Sequence, residues 1–217
     1  NILLARSPRF RLQGEFIRDT ALDLSGLLVK KVGGPSVKPY QPPNIWNEVS
    51  LNGGLRYKRD SGEKLYRRSM YTYWKRSAPM PSMLIFDAPT REKCMIQRPV
   101  TNTPLQALVT LNDPQFVEAA RAFSQRLIKE GGNDTASRID YGFRLALSRP
   151  ATQAEVKVIE RVLGDQLTRF RNDPQKAKEF LAVGEMARDE TIEAIDHAAW
   201  MVVGQLLLNM DETLTRG

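Results

Sequence analysis

Two residue types that build covalent or metal-held sites are nearly missing from this chain. Cys94 is its one cysteine and His197 its one histidine. An intramolecular disulfide is therefore excluded, as is a zinc site made of Cys and His alone. No Cys-x-x-Cys-His stretch occurs, so this chain attaches no c-type haem. A Ser-His-Asp triad would have to use His197, which lies in an apolar helical run unsuited to a general base. Long hydrophobic runs are missing too. The longest, Ala198 to Val203 and Leu206 to Leu208, are separated by Gly204 and Gln205, short of the ~20 apolar residues of a spanning helix. There is no fixed-period repeat and no low-complexity tract. The first residues lack a Met start and the charged-then-apolar pattern of an export signal. The expectation is a chain processed, or cut from something longer.

What is present is ordinary globular material: 217 residues, 41% hydrophobic and 26% charged, enough to bury a core. The charge is unevenly placed. Between Arg56 and Arg98 there are eleven Lys and Arg against four acids, so the whole net charge of +7 falls there and the remainder is neutral. Four of the six Tyr and Trp74 share this span. A basic, aromatic-rich segment attracts anions: nucleic acid, acidic polysaccharide, an acidic partner or a membrane surface. It also fits a solvated face whose long cationic side chains cover apolar neighbours.

Periodicity predicts a mainly α fold. After an extended lead-in (1–14), Ile17, Ala21, Leu24 and Leu28 mark a helix over 15–31, stopped by Gly33-Gly34. Residues 33–55, rich in Gly and Pro, form a long loop, a feature often functional or wrapped over a surface. In 56–76 the alternation of Met70, Thr72 and Trp74 with Tyr71, Tyr73 and Lys75 is strand-like. Met83 to Phe86 could pair with 94–98. From Thr103 the pattern is helical. Thr103-Pro104-Leu105-Gln106 reads as a capping-box start and Asp113-Pro114 as a second start. Phe116, Ala120, Phe123 and Leu127 line one face of the second helix. Ile139, Phe143 and Ala146 mark a third, ended before Pro150. Thr152 with Glu155 caps a fourth, and Asp173-Pro174 opens a short fifth to about Val183. Ile192, Ile195, Ala199, Val202 and Leu206 define a long terminal helix. Short connections imply an antiparallel bundle over 103–217. The N-terminal helix, long loop and small β or irregular basic segment (1–102) pack on it, making one module.

Several stretches resemble a known family. They are Pro-Arg-Phe-Arg-Leu (8–12), Gly-Gly-Pro-Ser-Val (33–37), Leu-Tyr-Arg-Arg-Ser-Met-Tyr-Thr-Tyr-Trp-Lys-Arg (65–76) and Phe-Asp-Ala-Pro-Thr-Arg (86–91). They continue through Arg98, Thr-Asn-Thr-Pro-Leu-Gln-Ala-Leu (101–108), Leu-Asn-Asp-Pro-Gln-Phe-Val-Glu-Ala-Ala-Arg (111–121) and Leu-Leu-Asn-Met-Asp-Glu (207–212). Together they resemble the planctomycete-specific domain of unknown function found at the C-terminus of large exported proteins. There it commonly follows a cytochrome c module and a second uncharacterised domain. The resemblance implies a periplasmic or extracellular location. It also implies upstream domains of the same polypeptide as partners, and haem c on an upstream module with no cofactor on this chain. It carries no reaction.

Three groups are candidate sites. Trp74-Lys75-Arg76 can stack on a sugar and hold its sulfate or carboxylate, or be a core Trp flanked by solvated cations. Arg98 with Thr101, Asn102, Thr103 and Gln106 can form an anion site at a helix start, or plain capping with Arg98 on a local carboxylate. Asp87, at the end of an apolar run, can act as acid, base or metal ligand, or pair with Arg76, Arg91 or Arg98. It has no second carboxylate at glycosidase spacing, and no metal site is expected. Asn112-Asp113 reads as a helix cap, Cys94 as a small buried apolar residue and His197 as a core histidine. The leading expectation is an accessory binding module whose basic aromatic segment contacts an anionic polysaccharide or a partner domain. An enzyme is the alternative, with Asp87, Arg98 and Asn102 converging in a cleft shared with upstream domains. Nucleic-acid binding by 56–76 is the third reading, and an exported location counts against it.

Overall fold

The computed structural model describes residues 2–3, 9–50, 54 and 56–216. The expected lead-in lies partly outside them, at residues 1 and 4–8, as does Gly53 of the long loop. The fold is mainly helical, and it is organised around one unusual helix. α9 (Ala194–Asn209) is apolar on nearly every side, so it can only be stable when surrounded. α4 (Pro104–Asn112), α5 (Pro114–Glu130), α6 (Thr135–Leu147), α7 (Gln153–Asn172), α8 (Pro174–Leu181) and α10 (Asp211–Leu214) all pack on it. Small residues let α5 and α9 come close. A Cβ on Gly204 would sit 2.8 Å from the Ala120 carbonyl oxygen. Phe123, Leu127, Ile139, Phe143, Met201 and Leu207 fill the core around that crossing. Each fully buried side chain of this size contributes about 1.5–3 kcal/mol.

Five of the ten described α-helices start at a residue whose side chain caps them. Asp113 accepts from the Gln115 amide at 2.9 Å. Thr152 and Glu155 form both halves of a capping box, and Asp173 accepts from the Lys176 amide. At α4 the capping-box expectation is corrected. Thr103 makes no side-chain cap bond, and Gln106 donates instead to the Ile85 carbonyl (2.9 Å) and the Thr101 hydroxyl (3.0 Å). The helix expected over 15–31 is α1, Gly14–Leu24. It stops early because Gly26 adopts φ 77°, and the amides of Leu27 and Leu28 both turn back to the Leu22 carbonyl.

The β structure lies elsewhere than expected. The two described strands join the ends of the chain, β1 (Phe10–Arg11) antiparallel to β2 (Thr215–Arg216). Residues 62–66 and 69–71 are 3₁₀ turns, and only single bridges, Val29 to Arg67 and Val37 to Thr72, touch them. Residues 81–85 form a short helix, α3 (Pro81–Ile85), with no pairing to 94–98. A four-residue helix, α2 (Ile45–Glu48), interrupts the long loop.

Two buried polar groups explain why the basic segment is not a strand. The Arg18 guanidinium, on α1, is fully buried. It donates to the carbonyls of Leu65 and Arg67 (both 2.7 Å), to Ser69 Oγ (3.0 Å) and to Gln115 Oε1 (2.7 Å). Those carbonyls would otherwise need a neighbouring strand. Burial lowers its pKa to about 10, so it remains charged at neutral pH. Glu118, on α5, is equally buried. Its Oε1 accepts from the Tyr66 hydroxyl (2.9 Å) and from the amides of Glu185 and Met186 (both 2.7 Å). One carboxylate thus holds the basic segment and the α8–α9 connection to the same helix. Gly184, at φ 98°, is required there, since a Cβ would lie 2.5 Å from Glu118 Cδ. Replacing Arg18 by Met leaves several buried acceptors without donors, each costing about 1–3 kcal/mol. Urea denaturation of Arg18→Met should show a loss of about 3 kcal/mol or more, and a loss below about 1 kcal/mol would contradict this role.

Candidate functional site

The residues singled out by sequence fall into two places. The first is a cleft of about 1300 Å³ between the terminal ribbon, α1 and residues 86–100. Asp87, Arg98 and Gln106 line it. Asn102 reaches its wall by accepting from Arg11 Nη1 at 3.1 Å. Their polar groups are turned to the protein. Asp87, held at φ 61°, accepts from the Thr101 amide (2.7 Å) and hydroxyl (2.8 Å) rather than pairing with Arg76, Arg91 or Arg98. Arg98 pairs with Glu15 across 83 positions at 2.8 Å, a partner no local pattern reveals. Arg9 is paired with Asp211, and Glu212 with Arg149. Asp87 and Asp211 both act electrostatically on Arg11. Arg9 and Arg98 are thus ion-paired, while Arg11 and Arg216 have no ion pair among the described residues, and no group of three or more potential metal ligands occurs among the described residues.

The second place is the basic segment with the loop before it. Its cations divide into two kinds. Arg67 is internal, donating to the carbonyls of Lys31, Gly33 and Pro35 and stacking 3.9 Å over Tyr71. Arg59 pairs with Glu185. Trp74 is half-buried against Met80, Met83 and Ala88. Its indole donates to the Thr90 carbonyl at 3.0 Å, and Arg91 stacks at 4.8 Å from its ring. Lys75 points elsewhere, its Nζ 4.5 Å from the ring centroid of Trp46. Lys38 Nζ approaches the same ring at 5.7 Å and Tyr73 at 5.3 Å. Tyr57 meets Trp46 edge-on at 5.3 Å. Tyr73 is 41% exposed, and Arg76 is exposed without an ion pair among the described residues. The structure therefore separates Trp74 from Lys75 and brings Lys75 to two residues the sequence reading missed, Lys38 and Trp46. The available signal was a Trp inside a long Pro- and Gly-rich loop.

Two single residues are settled by burial. Cys94 is exposed, not buried as expected, because residues 90–100 run along the surface. His197 is fully buried, its Nε2 3.2 Å from the Arg121 carbonyl oxygen. Burial lowers its pKa to about 4. Folding thus favours the neutral ring: its contribution to stability is present above the usual imidazole range of ~6.5 and is lost as pH falls through 4. An NMR titration of His197 should give a midpoint near 4, and a midpoint above about 6 would mean the ring is not buried as described. At the cleft, Asp87→Ala removes the anchor of the 88–101 strap. Hydrogen–deuterium exchange at the Thr101 amide should rise about tenfold or more, and unchanged exchange would show that the strap is held elsewhere.

A family model for PSD1, a protein of unknown function (DUF1553), matches residues 1–163. No curated protein and no solved structure matches the chain. The matched residues contain the cleft strap, the basic segment, Arg18 and Glu118, while the central α9 lies beyond them. The match covers most of the chain, and the protein belongs to the PSD1 (DUF1553) family.

Proposed function

We propose that this chain is an accessory binding module whose basic, aromatic face contacts an anionic polysaccharide. The observation that carries the reading is the approach of Lys38 and Lys75 to one Trp46 ring beside the exposed Tyr73, with the exposed Arg76 next in the chain. None of these three cations has an ion-pair partner among the described residues. Unpaired cations next to an aromatic ring suit a sugar polymer bearing sulfate or carboxylate groups, since the ring stacks on the sugar and the cations hold its charge. Binding is favoured over catalysis because the carboxylates in the cleft are already bonded to protein donors. The resemblance to domains of exported, cytochrome-linked planctomycete proteins supports a periplasmic or extracellular setting. It equally supports upstream domains of the same polypeptide as neighbours, with haem c on one of them.

The test is a glycan array carrying sulfated, uronate-bearing and neutral polysaccharides. The acidic polymers should be retained, more weakly as salt rises, and the variant Lys38→Gln/Lys75→Gln/Arg76→Gln should bind them at least about tenfold more weakly. Equal retention of neutral polymers, or no loss in the triple variant, would sink the reading.

A further inference from the structure

We propose that Lys75, Lys38 and the indole N–H of Trp46 form a subsite for a single oxyanion, a sulfate ester or a carboxylate. The subsite rests on the reading of this face as a glycan-binding surface and names the group it grips. Trp46 is 93% buried by its 7% exposure, yet its Nε1 has no hydrogen-bond partner among the described residues. Lys75 Nζ is buried and also has none among the described residues. Both atoms are donors, and the Lys75 ammonium lies over the Trp46 ring. A buried ammonium held only by the face of a ring is incompletely compensated, and a buried N–H with no acceptor calls for one. The second ammonium, Lys38, stands over the same ring and over Tyr73.

Neither Asp60 nor Glu185 is free to serve. Asp60 accepts from the Lys38 backbone amide at 2.7 Å, and Glu185 accepts from Arg59 and the Gly62 amide. What the cluster lacks is an acceptor carrying negative charge, and an oxyanion supplies several acceptor oxygens at once. Trp74, the residue next to Tyr73, has no such need, because the Thr90 carbonyl already accepts from it.

That contrast supplies the experiment. The three indole N–H resonances of the ¹⁵N-labelled protein are followed while sodium sulfate, or sodium galacturonate, replaces chloride at constant ionic strength. The Trp46 resonance should move saturably, with those of Trp74 and Trp200 fixed. Lys75→Gln and Lys38→Gln should each weaken the response about tenfold, while Lys75→Arg retains it. An unchanged Trp200 resonance in each variant establishes that the fold is kept. A larger response to sulfate identifies a sulfated polymer as the source of the anion, and a larger response to galacturonate a uronate polymer. A silent Trp46 resonance, or one that responds identically in both Gln variants, overturns the subsite: the first means that water alone fills it, the second an adventitious ion only. Retention of acidic glycans with a silent Trp46 leaves the glycan reading standing without this subsite. A responsive Trp46 with no glycan retained leaves the oxyanion subsite and removes the polymer.

Discussion

The burial of one guanidinium sets the course of the first half of the chain. Arg18 enters the interior on α1 and meets backbone carbonyls of Leu65 and Arg67, the Ser69 hydroxyl and Gln115 of α5. A buried cation with this many acceptors leaves little freedom to the groups that supply them. Residues 65–69 are consequently drawn into tight turns against α1. The following residues, Tyr73 to Arg76, emerge on one side of the molecule. Glu118 fixes the other side of the same segment through Tyr66, whose phenol pKa is raised by burial first and by the Glu118 charge second. The segment with the most surplus charge in the sequence is thus anchored by an internal cation and an internal anion.

This anchoring changes the meaning of the positive charge. Arg67 is structural, holding the carbonyls of the 31–35 turn. Arg59 and Arg98 are paired with acids distant in sequence, and Arg91 covers Trp74. Lys38, Lys75 and Arg76 remain without ion pairs among the described residues, as do the exposed Arg56, Lys58, Lys64 and Lys93, and Lys38 comes from outside the basic segment. In the large cleft, the obvious place for a site by size, Arg9 and Arg98 are held by acids. Among the described residues both places hold a buried donor without an acceptor, Arg11 Nε in the cleft, and Trp46 Nε1 with Lys75 Nζ in the smaller aromatic cluster.

The helical half was legible because its signals are local. Asp113-Pro114, the Thr152–Glu155 capping box and Asp173-Pro174 mark helix starts through contacts within a few residues. The first half was not, because its determinants are distant. Nothing near Leu65 or Arg67 announces that Arg18 will take their carbonyls, and the alternation of residues 70–75 imitates a strand but gains only the single bridge of Thr72 to Val37. Gln106 was noticed for a cap and serves instead as a tie between α3, the Thr101 turn and α4. Lys75 and Arg76 were found by composition alone. Lys38 and Trp46 were not, since the loop bringing them to Lys75 has no periodicity to read.

The central claim is that an acidic glycan meets the protein at the Lys38–Trp46–Lys75 face. The most direct measurement is a residue-by-residue map of backbone and side-chain NMR shifts on addition of a sulfated oligosaccharide. The account expects the changes to centre on Lys38, Trp46, Tyr73, Lys75 and Arg76, with Arg9, Arg98 and Gln106 unmoved. Changes centred on the cleft at Asp87 and Arg98, with the Trp46 face silent, would contradict it.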